Sequence, residues 1–382
     1  MRSIHVALVG LGFGAEFIPI YLHHPGVASL TICDTDERVL QEWGDRYQVE
    51  RRARSLAEVL AANDIDAVHL VTPIPLHVQQ TLAILAAGKH CACTVPMATS
   101  IADLLAIVAA QRQSGCNYMM METQVYGREF LFAQHLLESG AMGKLQFLRG
   151  CHYQDDEGWP WYWKGLPPFW YGTHALAPLL ALAQTRAEKV HCFGTGAMRA
   201  ELVQQYGNPY PMETAIFKLA GTDIAAEATR SLFHLGRDYQ EGFYVYGEQA
   251  VYEWPQVAGD EPVLFRIAPL DLERMKGERG RPVAVERVHV PDYAERLPAE
   301  IRRFTTASVY DASNPHLSFL QGGGHGGSHP HLVHEFVQSI LENRPPRIDA
   351  VTAADWCAVG ICAHESAMRD GELVMVPRFD QG

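Results

Sequence analysis

His174 stands three residues after Tyr171, in the run Tyr171-Gly172-Thr173-His174. An imidazole titrates near neutral pH, so it can take a proton from a hydroxyl and return it. A phenol beside it can relay or donate that proton. Upstream, Tyr153 closes an apolar run, and Asp155 and Asp156 follow at once, placed to bind hydroxyls or to act as acid and base. Four of the chain's seven tryptophans come next, Trp159, Trp161, Trp163 and Trp170, with Tyr162 and Phe169 among them. Pro160, Pro167 and Pro168 exclude a long regular helix there. Flat aromatic faces with a polar tip suit a sugar ring, although the same residues also suit a sheet cover or a subunit contact. Lys164 is a cation for an anionic substituent.

Further along, His325 sits among Gly322, Gly323, Gly324, Gly326 and Gly327, which marks close backbone approach and reads as a loop over substrate. His331, His334, Glu335 and Gln338 share one helical stripe. Their spacing matches no familiar ligand set, so a polar helix face is expected there and no metal.

These groups need a scaffold, and the first residues of the chain point to one. Val6 to Val9 reads as a buried strand, followed at once by Gly10, Gly12, Phe13 and Gly14. Glycines at this spacing make a tight turn and let the backbone approach a pyrophosphate, which then lies on the free N–H groups that open a helix. A second strand ends in Asp34, twenty residues after Gly14. A carboxylate there binds the adenosine ribose and repels a 2′-phosphate, so NAD is preferred to NADP. Strands and helices then alternate. Ala67 to Val71 leads into Thr72, Pro73 and His77, His90 to Cys93 leads into Val95 and Pro96, and Tyr118 to Met121 leads into Glu122 and Thr123. Ser55 and Ser100 open helices with capping boxes, and Thr352 is expected to cap the last helix.

This is a doubly wound parallel sheet, with its ligand beyond the strand ends. From about residue 125 the pattern changes to meandering strands that pack on helices, as in a mainly antiparallel open sheet. The expected domains are therefore 1–124, binding NAD, and 125–382, binding substrate and forming subunit contacts. Residues 255 to 321 read as irregular, and Pro330 to Asn343 as a core-facing helix.

Composition narrows the classes. Nearly half of the 382 residues are hydrophobic and the formal charge is −13, which argues against nucleic acid or an anionic membrane as partner. No run approaches a membrane span, and no leader precedes the first strand, so a cytoplasmic setting is expected. The eight cysteines are scattered in apolar runs and read as buried free thiols.

Taken in order, GLGFGA, TPIPLH, GKHCACTVP and MMMETQVY resemble the Gfo/Idh/MocA family of sugar-acting NAD(P)-dependent oxidoreductases, across essentially the whole chain. The resemblance implies a Rossmann domain followed by an α/β domain with an open sheet, and a homodimer or homotetramer. Family members usually carry E-K-P where this chain has Thr94-Val95-Pro96, so Val95 cannot supply the proton transfer of their lysine. Val-Pro at that position, Tyr171 to Pro178, and Gly324 to Gly327 look like a narrower branch, the NAD-dependent glycosidases. That branch implies oxidation of a ring hydroxyl, elimination, water addition and re-reduction, with Tyr171 and His174 at cofactor and substrate. Net dehydrogenation of a sugar or inositol is the alternative. A non-catalytic NAD-binding regulator is a further one.

Overall fold

A computed structural model describes residues 3–257, 259–273, 275–306, 308–309, 319–320 and 325–380. The chain forms two compact units. The first comprises residues 1–127, 292–361 and 377–382, and the second 128–291 and 362–376. A single cut at 124/125 therefore misses the return of the chain, whose residues 292–361 complete the first unit rather than the second.

The first unit holds a six-stranded parallel sheet of β1 (Ile4–Val9), β2 (Val27–Cys33), β3 (Arg52–Ala53), β4 (Ala67–Leu70), β5 (His90–Thr94) and β6 (Tyr118–Met121), in the order β3-β2-β1-β4-β5-β6. β4 and β6 are buried throughout, because a parallel sheet is covered on both faces. All six strands run the same way, so Gly10, Asp34, Thr72, Val95 and Glu122 come out on one edge. The helices between strands begin where their caps do. Ser55 and Ser100 accept from Glu58 N and Asp103 N, and Gly115 closes a helix in the left-handed region. After the glycine turn the chain first makes a 3-10 stretch, Phe13–Phe17, before the short α-helix Ile18–His23. The last long helix, Ala350–Ala367, begins two residues ahead of Thr352. Asp349 caps it, accepting Thr352 N at 2.9 Å, so the expected Thr352 cap is displaced by an acid one turn earlier.

The second unit is a nine-stranded mixed sheet. Its strands are β7 (Leu145–Tyr153), β8 (Ala187–Thr195), β9 (Met212–Leu219), β10 (Ala225–Ser231), β11 (Gln240–Gly247), β12 (Ala250–Glu253), β13 (Val263–Ile267), β14 (Val283–Arg287) and the final Val374–Met375. Only β7 and β10 pair in parallel; the other neighbours are antiparallel. β9–β10 and β11–β12 are hairpins, in keeping with the meandering strands expected here. β13 and β14 fall in the stretch read as irregular. Every side chain of β14 is exposed, so that strand carries no buried periodicity to announce it.

One helix, Thr173–Ala183, packs on the centre of this sheet, against β7, β10 and β11. Gly150 permits it: a Cβ there would lie 2.1 Å from the carbonyl oxygen of Ala175. A strand glycine at such a position marks close approach of another backbone.

Candidate active site

In the first unit, Gly10 has φ +92°, and a Cβ on it would lie 2.3 Å from Val71 O. Gly14 is held close to Val71 as well, with a Cβ distance of 3.1 Å. Gly12 differs: among the described residues, its chain neighbours aside, no atom lies within 4 Å of where its Cβ would be. Nothing in the packing of the described residues demands glycine at position 12. A ligand backbone passing over the turn does, and that cradle fits a dinucleotide diphosphate. Asp34 braces the turn, accepting Leu11 N at 2.8 Å on one carboxylate oxygen and Asp36 N at 2.9 Å on the other. The ordered carboxylate sits where a ribose diol is expected.

The remaining predicted cofactor residues lie on the same edge, with two kinds of role. Phe13 is exposed beside the turn. Thr72 and Pro73 follow β4, Val95 and Pro96 follow β5 with a cis bond between them, and Thr123 follows Glu122 beyond β6. His77 braces this edge. Its two ring nitrogens lie 2.8 Å from the carbonyl oxygens of Pro96 and Thr72, tying two strand-end loops together. Burial opposes a charge on this ring, but the Cys93 thiol and the two carbonyls outweigh it and push its pKa up to about 9. Both ring nitrogens thus face carbonyl acceptors, one on each loop.

His325 also belongs to the first unit, its ring 5.4 Å from Phe13 and 5.1 Å from His329. Gly322, Gly323 and Gly324 lie outside the described residues. The helical stripe on Ser328–Leu341 is occupied by contacts within the unit. His334 Nδ1 lies 3.0 Å from His24 Nε2, and Glu335 pairs with both terminal nitrogens of Arg344 at 2.7 and 2.9 Å.

In the second unit, strand parity builds the cluster. Arg230, His152 and Glu241 are register partners on the adjacent strands β10, β7 and β11. They form one row across the sheet on the face that the helix Thr173–Ala183 covers, and all three are buried. The close approach at Gly150 brings His174 over this row, its ring 5.2 Å from that of His152. Glu241 Oε1 is the hub. It lies 3.7 Å from His174 Nε2 and 3.6 Å from His152 Nε2, and Tyr239 donates its phenolic hydrogen to it. Tyr171 OH is 3.3 Å from His174 Nε2. Burial and the neighbouring Glu241 push the Tyr239 phenol well above its ordinary range, so it stays a donor.

Arg230 locks the frame. It donates to the carbonyls of Tyr171 (2.9 Å), His152 (3.3 Å) and Ser231, and to Gln154 Oε1 at 3.0 Å. Trp163 packs edge-on against Tyr171 at 4.6 Å. A buried carboxylate beside two imidazoles and two phenols is equipped to move a proton to and from a hydroxyl.

Of the residues expected to do chemistry, Tyr171, His174 and Trp163 come together here. Tyr153 does not: one residue past His152, it faces the other side of the sheet with Arg149 and Cys151. Asp155 is exposed and accepts Glu157 N at 3.0 Å, which is turn geometry, while its neighbour Asp156 is the buried acid. Lys164 is exposed. His152, Arg230, Tyr239 and Glu241 were not singled out. Their signal is an isolated ionisable or polar residue inside or beside an otherwise apolar strand, such as Glu241 before Phe243 to Tyr246. Among the described residues no three His, Cys, Asp or Glu side chains have the arrangement of a metal site. All eight cysteines are buried and free, and no described helix is long and apolar enough to cross a membrane.

Fold and cradle together define an NAD-dependent enzyme with a Rossmann first unit. Residues 4–122 match the Gfo/Idh/MocA description, "Oxidoreductase family, NAD-binding Rossmann fold". The chain thus carries the NAD-binding domain of the Gfo/Idh/MocA oxidoreductase family. Its whole length aligns with "Glycosyl hydrolase family 109 protein 1" of Phocaeicola vulgatus, 22% identical over 85% of that protein. It aligns likewise with a "Glycosyl hydrolase family 109 protein" of Streptomyces coelicolor, 24% identical over 84% of that protein. Among solved structures, levoglucosan dehydrogenase in complex with NADH superposes with TM-score 0.77 at 17% identity, over 99% of this chain and all of that one. An oxidoreductase from Agrobacterium radiobacter in complex with NAD+, L-tartaric acid and magnesium does so with TM-score 0.74 at 17% identity, covering 98% of this chain and 99% of that one. These structures show the fold.

Proposed function

We propose that the chain is a carbohydrate enzyme that cleaves a glycoside through transient oxidation of a ring carbon, C3 of the sugar. The observation that carries this reading is the buried Glu241 hub, with His174, His152, Tyr171 and Tyr239 around it. Bound NAD supplies a hydride acceptor and, later, a hydride donor. Gly10, Gly12, Phe13, Gly14, Asp34, Thr72, Pro73, Val95, Pro96, Glu122 and Thr123 are the residues that would hold it. His77 fixes two of the loops that carry them.

His174 takes the proton of the sugar hydroxyl, and Glu241 stabilises the imidazolium that results. Tyr171 relays protons at the same nitrogen, and Trp163, edge-on to Tyr171, adds an apolar ring beside it. With Val95 at the usual lysine position, the acid–base work falls to this second-unit cluster. A ketone at C3 acidifies the proton on C2, so a C1 substituent leaves by elimination without an oxocarbenium ion. Water then adds at C1. Relatives named as glycosyl hydrolases support cleavage over oxidation. Solved relatives named as levoglucosan, scyllo-inositol and myo-inositol dehydrogenases support the second reading, net oxidation of a free sugar or inositol.

The test follows aglycone and NADH together on a panel of aryl glycosides. Many equivalents of aglycone with no net NADH are expected. NADH accumulating one-for-one with an oxidised sugar overturns cleavage in favour of net dehydrogenation, and NAD binding without turnover on any sugar points to a regulator. We further propose a homodimer or homotetramer formed through the outer face of the nine-stranded sheet, where Phe193, Ile216, Val285 and Met375 are exposed. Sedimentation as a monomer would refute that.

A further inference from the structure

We propose that Asp156 is a second proton-transfer group, serving the oxygen attached to the anomeric carbon while His174 serves the ring hydroxyl. This rests on the glycosidase reading above. Asp156 lies three residues past the end of β7, and its backbone is fixed. Its amide donates to Leu232 O at 2.8 Å, its carbonyl accepts Trp159 N at 3.0 Å, and Gln154 N donates to Ser231 Oγ at 3.3 Å just before it. The residue is 2% exposed. Both carboxyl oxygens are buried, with no hydrogen-bond partner among the described residues.

That sets Asp156 apart from a structural acid of the same unit. Glu213 is also fully buried, but it accepts from His364 Nδ1 at 2.6 Å and from Phe169 N at 2.9 Å. Leaving a buried acid without a partner costs stability, so a structural role does not explain it. Arg230 is the cation that acts on Asp156, yet four of its five N–H donors go to three carbonyls and Gln154. Asp156 therefore shares the field of the guanidinium that also anchors the Tyr171 backbone, and keeps its own oxygens for a ligand. Burial, with Asp155 adding, outweighs the pull of Arg230 and raises its pKa to about 7. Such a group gives and takes a proton near neutrality.

The chemistry needs a further group because the hydroxyl and C2 protons already engage Glu241 and His174. In the elimination, His174 hands the hydroxyl proton to Glu241, 3.7 Å away, and then takes the C2 proton, and the C2–H electron pair becomes the C1–C2 double bond. The C1–O bond breaks with its pair on the leaving oxygen, and the Asp156 proton completes the departing alcohol. In the addition, the Asp156 carboxylate takes a proton from water as the water oxygen bonds C1, and C2 regains its proton. One water is consumed and Asp156 ends protonated, as it began.

The experiment compares the parent protein with Asp156→Asn on two glycosides of one sugar. One has a nitrophenolate leaving group, which departs unprotonated, and the other a simple alkyl alcohol, which does not. Expected is a loss of about 100-fold on the alkyl glycoside and much less on the nitrophenyl one, with exchange of the sugar C2 hydrogen for deuterium from solvent retained. Difference infrared spectra are expected to show a carboxyl band that titrates near neutral pH in the parent and is missing from the variant. Equal losses on both glycosides, or loss of the exchange, would show that Asp156 only shapes the site and would overturn the proposal. If the parent itself cleaves neither glycoside, the cleavage reading has failed and this role falls with it.

Discussion

The two units each bury a set of histidines, and they do it in opposite ways. In the first, His24, His69, His329 and His331 are kept neutral by burial, although Glu16 Oε2 lies 3.4 Å from His329 Nδ1. Phe17 packs between His329 and His69 at 4.6 and 4.7 Å, and the Tyr21 hydroxyl is 3.1 Å from His69 Nδ1. Burial holds His69 down to about 3 and His24 and His331 down to about 4. These rings are neutral packing pieces. In the second unit His152 and His174 are equally buried but share one carboxylate, so a proton on either ring has a partner. Burial alone does not tell a structural histidine from a working one. Nor does a carboxylate alone, since His329 lies 3.4 Å from Glu16 and His364 2.6 Å from Glu213; what sets His152 and His174 apart is that they share one carboxylate.

The largest effect expected from this contrast comes from removing that charge. Glu241→Gln keeps the shape and is expected to lower kcat/KM by about 10²–10⁴-fold, with NAD binding unchanged by titration calorimetry. Equal activity would reduce the row to packing.

Next comes Asp156, whose folded-state pKa of about 7 is above its ordinary value of 3.8. The folded state binds this proton more tightly than the unfolded one, so stability falls as pH rises from about 4 to about 7. The loss is complete above that, and is on the order of 4 kcal/mol. Chemical denaturation across this range is expected to show the slope in the parent and a flatter curve for Asp156→Asn.

The first unit has the opposite sign. His24 titrates at about 4 when folded against 6.5 when free. Its stabilisation is whole above pH 6.5 and disappears as pH falls through 4, on the order of 3 kcal/mol. Hydrogen exchange in the first unit should therefore lose protection in mild acid, and His24→Asn should lessen that loss. Smallest are Tyr153→Phe, Asp155→Asn and Lys164→Ala, each expected to leave kcat/KM within about twofold, since none joins the row. A large loss at Tyr153 would redraw the site onto the other sheet face.

The contrast also explains what a single chain discloses. The glycine turn, Asp34 and the strand ends after β4, β5 and β6 were legible because each signal is local: an apolar run, then a glycine, proline or acid. The end of β7 was legible as well, at Tyr153, where its apolar run closes. The row across β10, β7 and β11 was not, because its members are 78 and 89 positions apart and meet only through register. Register is a property of pairing, and one sequence does not state which strands pair. The choice of Asp155 over Asp156 failed for the same reason, since beyond a strand end the alternation of faces no longer decides which acid turns inward.

The return of residues 292–361 to the first unit bears on how the protein is made. Met120 N donates to Ile348 O at 3.1 Å, and the Asn117 side-chain amide donates to Ser339 Oγ and Arg344 O at 3.0 and 2.8 Å. On a translating ribosome, β6 therefore waits for more than two hundred residues of later chain before these bonds can form. Residues 128–291 emerge in the interval. Synthesis reverses the usual order of N-terminal part first, and the NAD-binding unit, begun earliest, is finished among the last.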